Sequence, residues 1–119
     1  MESREELEAK LYRLRRQQDD MENHIWQMRK EQKNEADTFQ QEYYKCGALI
    51  KECESIYPEI AELMEEEQRV IYDFQMRQYE FEEQFCRDSK QEQEQLEADI
   101  LEVRKQLQNL EQEEGEGRQ

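Results

Sequence analysis

One histidine, three cysteines and a run of three glutamates are the residues whose types could do chemistry here, and their spacing argues against it. His24, the only histidine, stands beside Ile25 and Trp26 in strongly helix-forming sequence. It therefore reads as a surface or flank residue rather than a general base. Cys46, Cys53 and Cys86 form no C-x-x-C pair and are odd in number. Two of them lie one heptad apart, so they read as small free thiols in a reducing compartment, with an intermolecular disulfide as the alternative. Glu65-Glu66-Glu67 lacks the glycine turn and ligand spacing of a calcium loop, and no glycine loop that would cradle phosphate is present. The expectation is a protein with no catalytic residues, no cofactor and no bound metal.

A different signal stands out. Trp26, Tyr43, Tyr44, Tyr72, Phe74, Tyr79, Phe81 and Phe85 are too many aromatics to share one narrow helical seam. Tyr72, Met76, Tyr79 and Cys86 form a stripe at three- and four-residue spacing beside a second stripe of Ile71, Phe74, Phe81 and Phe85. These side chains either widen an interface within the chain or meet another chain. The second reading is favoured, because a lone helical hairpin with so few apolar residues buries little surface against the entropy of ordering it. Trp26, Tyr72, Phe74, Met76, Tyr79 and Phe81 are the candidate partner-binding residues.

The elements that must carry them are long helices. The chain has 119 residues, 34% hydrophobic and 41% charged, which suits a coiled coil better than a compact core. Ser3 and Glu6 make a capping box. From there a seam runs Leu7, Leu11, Leu14, Gln18, Met21, Ile25, Met28, Gln32, Glu35, Phe39, Glu42, Cys46, Leu49, Cys53, Ile56 in alternating steps of four and three. Tyr43, Ile50 and Tyr57 broaden it toward the middle of the chain. Pro58, the only proline, is tolerated at the first position of a helix and not in its interior. A second seam follows through Ile60, Met64, Ile71, Phe74, Phe81 and Phe85, and a shifted one through Leu96, Ile100, Val103, Leu107 and Leu110.

The spacing predicts an all-α, antiparallel two-helix hairpin over residues 1–112, with helix 1 at about 3–56, a turn at Tyr57-Pro58 and helix 2 at about 58–112. Residues 113–119 read as a frayed acidic tail. Facing residues would have numbers adding to about 117, which sets polar Gln32 and Glu35 against bulky Phe85 and Phe81. The alternative is a kinked continuous helix in a parallel dimer. Gly47 marks either a bend or the close approach of another helix.

Net charge is -15. Residues 1–57 carry ten basic and thirteen acidic side chains, net -3, which leaves -12 on residues 58–119. Such a field repels nucleic acid and anionic lipid, and no apolar run reaches the roughly 20 residues of a membrane span. The start of the chain is not a secretory signal peptide, so a cytoplasmic location is expected.

In layout the chain resembles the small α-helical, WXG-like proteins that accompany LXG toxins of type VII secretion in Gram-positive bacteria. The likeness lies in residues 5–20, EELEAKLYRLRRQQDD, in Phe74 within the second half, and in residues 95–107, QLEADILEVRKQL, near its end. It implies a targeting factor that binds the helical N-terminal domain of a toxin, with or without a second small WXG-like protein. It also implies export without a cleavable signal as part of that complex. The chain departs from the pattern at the turn, where Ile56-Tyr57-Pro58 replaces Trp-x-Gly, which favours an accessory relative. Tyr79-Glu-Phe-Glu-Glu83 fits a Tyr-x-x-x-Asp/Glu export signal, but in so acidic a chain the match carries no weight. The competing class is a self-assembling scaffold coiled coil, with a homodimer as its simplest form. A prefoldin-like subunit ranks third, because the turn lacks β-hairpin sequence.

Overall fold

A computed structural model describes residues 2–117 as two α-helices joined by a short turn, the expected hairpin. Helix α1 spans Arg4–Cys53 and helix α2 spans Pro58–Glu116. The capping box forms at the start of α1. The amide of Glu6 donates to Ser3 Oγ at 3.2 Å and the amide of Ser3 donates to Glu6 Oε2 at 3.3 Å. Together they satisfy two of the donors that a helix N-terminus leaves open.

The first helix ends at Cys53, three residues before the expected 56. The Tyr57 amide donates to the Cys53 carbonyl at 2.7 Å, closing a turn over residues 54–57. Tyr57 then serves as the N-cap of α2, its carbonyl accepting from the amides of Ile60 and Ala61, each at 3.1 Å. Pro58 takes the first helical position, where its missing N–H leaves no gap.

At the other end α2 continues to Glu116, beyond the expected 112. Glu and Gln are good helix formers, and the Gly117 amide closes the last turn on the Glu113 carbonyl at 3.0 Å. Residues 118 and 119 of the expected tail lie outside the described residues.

The chain divides into two units, residues 27–86 and the described parts of 1–26 with 87–119. In the unit that holds the chain ends, Leu7, Ile25, Leu96, Ile100 and Val103 are buried. Leu11, Leu14, Gln18 and Met21 are partly buried beside them. Apolar side chains at three- and four-residue spacing make a narrow seam of coiled-coil type. Arg4 pairs with Glu8 and Glu114, each at 3.2 Å, and with Glu111 at 3.7 Å. This offsets the carboxylates that crowd the negative end of the α2 dipole.

The unit of residues 27–86 is built differently. Only Cys46 and Ala61 are buried, and the inward positions of α2 are Ala61, Met64, Gln68, Ile71, Gln75, Gln78, Glu82 and Phe85. Of the two bulky residues expected to face polar ones, Phe85 turns inward and Phe81 does not. Phe81 is 58% exposed and Phe74 is 49% exposed, while Gln75, Gln78 and Glu82 turn inward.

Two physical reasons account for this. Seating the row of Phe74 and Phe81 inward would bring in two charged groups, Glu67 and Arg77, where the observed row brings in one, Glu82, beside amides that find acceptors. Main-chain carbonyls across the hairpin, moreover, receive the glutamines, Tyr43 accepting from Gln68 and Gln32 from Gln78. Gly47 lies beside Gln68, whose Nε2 would be 3.4 Å from a Cβ at that position. Helix α1 passes through Gly47 without interruption, and the Gln68 side chain of the other helix comes close to it.

The register shifts accordingly. The cross-helix contacts of this unit, Gly47 with Gln68, Phe39 with Phe74 and Glu35 with Gln78, have numbers that add to 113–115, a little below 117.

Candidate functional site

Turning glutamine inward turns aromatic residues outward. Tyr72, Phe74, Met76, Tyr79 and Phe81 are all between 44% and 60% exposed. They do not form one surface. Tyr72 and Phe74 are two residues apart, about 200° around a helix, so they lie on opposite flanks of the inward seam. The same holds for Tyr79 and Phe81. Met76, four residues from Tyr72 and three from Tyr79, belongs with the tyrosines.

The tyrosine flank is completed by α1. Gln40, Tyr43 and Tyr44 line a shallow groove together with Tyr72, Gln75 and Tyr79. Tyr43 and Tyr44 meet edge to face, with ring centres 6.1 Å apart and planes at 77°. The Gln68 amide donates to the Tyr43 carbonyl at 3.3 Å and ties the two helices beneath the groove. Four tyrosines with glutamines between them present flat apolar area with hydroxyls at the rim, a composition typical of protein interfaces.

The opposite flank is more apolar. Phe74 stacks on Phe39 of α1, with ring centres 6.2 Å apart and planes 2° apart. The Arg77 guanidinium carbon lies 5.9 Å from the centre of the Phe74 ring. Ile60, Leu63, Val70 and Phe81 continue this flank along α2, and all are exposed. Sequence reasoning missed Leu63 and Val70 and placed Ile60 in the inward seam. The signal was present, since 60, 63, 67, 70, 74, 77 and 81 alternate steps of three and four. Trp26, the remaining candidate, is 63% exposed on α1 and belongs to the unit that holds the chain ends.

Among the thiols, Cys46 is buried, Cys53 partly so and Cys86 exposed. Burial pushes the Cys46 thiol above its ordinary range, and the carboxylates of Glu67 and Glu42 add to the effect. That makes it a poor nucleophile at neutral pH. Among the described residues no three His, Cys, Asp or Glu side chains gather in a way that could hold a metal ion. No helix of the described residues is long and apolar enough to cross a membrane.

Compared with known proteins, the chain matches no family model, no curated protein and no solved structure.

Proposed function

We propose that this protein is a non-enzymatic helical adaptor that holds another helical protein against its tyrosine flank. The observation that carries the reading is the inversion in residues 27–86. Gln68, Gln75 and Gln78 take three of the eight inward positions of α2 there, and Tyr72, Met76 and Tyr79 are left outside. A chain selected only to fold would gain from the reverse arrangement, so the exposed aromatics belong to a second interaction. Tyrosine supplies large contact area at low entropic cost, and a groove between two helices accepts apolar anchors spaced three and four residues apart.

Charge selects the occupant. Residues 58–86 carry nine Asp or Glu against two Arg, so a basic amphipathic helix is steered in and acidic competitors are turned away. The layout shared with the small partners of LXG toxins makes the helical N-terminal domain of such a toxin the partner of choice, with type VII export as the outcome.

The test mixes the purified protein with the N-terminal helical domain of an LXG toxin. A complex should form on size-exclusion chromatography. Tyr72→Ala with Tyr79→Ala should weaken it at least ~10-fold, about 1.4 kcal/mol. Wild-type protein that forms no complex removes the toxin from the proposal. A complex that the double variant binds as tightly removes the tyrosine flank.

A further inference from the structure

The flank opposite the tyrosines carries a second helical seam. Ile60, Leu63, Glu67, Val70, Phe74, Arg77 and Phe81 follow one another in steps of three and four, and the five apolar members are between 43% and 61% exposed. A stripe of that period matches the contact line of another helix. Two polar residues interrupt it, and they have opposite charge.

Their placement decides what can cover the stripe. Let a second α2 run antiparallel across it, so that facing residue numbers add to 144. Leu63 then meets Phe81 of the second copy, and Val70 meets Phe74. Glu67 meets Arg77, and every contact recurs through the two-fold axis. Each polar residue faces its opposite charge, and four of the five apolar residues face apolar ones. Other arrangements fail this test. Sliding by one heptad in one direction sets Glu67 against Val70 and Ile60 against Arg77. Sliding in the other sets Phe74 against Arg77. A parallel pairing sets Glu67 against Glu67 and Arg77 against Arg77, which is repulsive in the manner of like charges across any helix contact.

We infer that this flank binds a second copy of the chain, α2 against α2, antiparallel about a two-fold axis near residue 72. The surface is separate from the tyrosine groove, so the dimer and the helical partner occupy different sides of the same helix, and the inference stands whether or not the adaptor reading does. Both copies are strongly acidic, and screening by salt relieves their mutual repulsion. Self-association therefore strengthens with salt, whereas capture of a basic helix weakens.

Sedimentation equilibrium of the full chain, with reductant present, tests this. The wild type should dimerise, more tightly at 0.5 M than at about 0.05 M salt. Glu67→Arg and Arg77→Glu should each weaken the dimer at least ~10-fold, a loss of about 1.4 kcal/mol. The double variant, with the two charges exchanged, should recover it. A mixture of the two single variants should associate more tightly than either alone, because every facing pair is then of opposite sign. Tyr72→Ala with Tyr79→Ala should leave the dimer unchanged. A wild type that stays monomeric at about 100 µM overturns the inference. So do single charge variants that dimerise like wild type, or a mixture that shows no gain. A dimer lost in the tyrosine variant assigns self-association to the other flank and overturns it as well.

Discussion

The side-chain amide of Gln78 reaches across the hairpin to donate to the main-chain carbonyl of Gln32 at 3.2 Å and to the Glu35 carboxylate at 3.1 Å. One polar residue thus ties α2 to α1 where a coiled coil would ordinarily place leucine. A part-buried polar contact of this kind adds little net stability, but it penalises registers that would leave the amide unpaired.

Gln32 itself has a buried Nε2 with no hydrogen-bond partner among the described residues. Gln32→Leu removes that donor and adds apolar burial, while the carbonyl that receives Gln78 belongs to the main chain and stays. Unfolding by urea should show a gain of about 1–2 kcal/mol. A loss of stability would mean that the Gln32 side chain is satisfied by an interaction that leucine cannot replace.

Gly47 offers a second gain. It lies in the middle of α1 with no positive φ, and an added Cβ would meet Gln68 at ordinary van der Waals distance. Gly47→Ala should raise stability by up to about 1 kcal/mol through helix propensity. Destabilisation would show that the helices cannot yield by a few tenths of an ångström there.

Neighbouring residues in α2 should behave in opposite ways. Ile100 is 6% exposed and Leu101 is 54% exposed. Ile100→Ala should cost about 2–4 kcal/mol, and Leu101→Ala should stay within about 0.5 kcal/mol, because alanine leaves no cavity there and favours the helix. Equal losses at both sites would place Leu101 in an interface.

The ends of the hairpin were legible in the sequence because the chemistry there is unambiguous. Ser3 and Glu6 cap one helix, Pro58 can only open the other, and Leu96, Ile100 and Val103 have no competing apolar stripe beside them. The middle was not legible for a definite reason. From residue 60 to 81 two stripes compete for the inward position, one through Phe74 and Phe81 and one through Gln75, Gln78 and Glu82. Apolarity alone selects the first. The outcome turns on the charges each row carries, Glu67 and Arg77 against Glu82 alone, and on the Tyr43 and Gln32 carbonyls that receive Gln68 and Gln78. The second depends on what stands across the hairpin. The same ambiguity merged two flanks into one set of candidate residues, although Tyr72 and Phe74 lie on opposite sides.

The Cys46 thiol predicts a pH dependence. Its value in the folded protein is raised, first by burial and then by Glu67 and Glu42, above an ordinary value of 9.0. A group raised on folding contributes stability that is fully present below its unfolded value and is lost as pH rises through its folded value. Stability should therefore fall as pH climbs above about 9. Cys46→Ala should flatten that fall. A decline of the same steepness in the variant would assign the effect to other groups.

Thermal unfolding of the isolated Tyr72→Ala, Tyr79→Ala protein tests most directly whether the tyrosine flank is an interface held open or part of the fold. The residues are 49% and 60% exposed, and neither lies among the inward positions of α2. The account predicts helicity unchanged and stability within about 1 kcal/mol of wild type for the pair together, as expected for surface substitutions. A loss of about 4 kcal/mol or more, on the scale of truncated core side chains, would contradict it and make these tyrosines core.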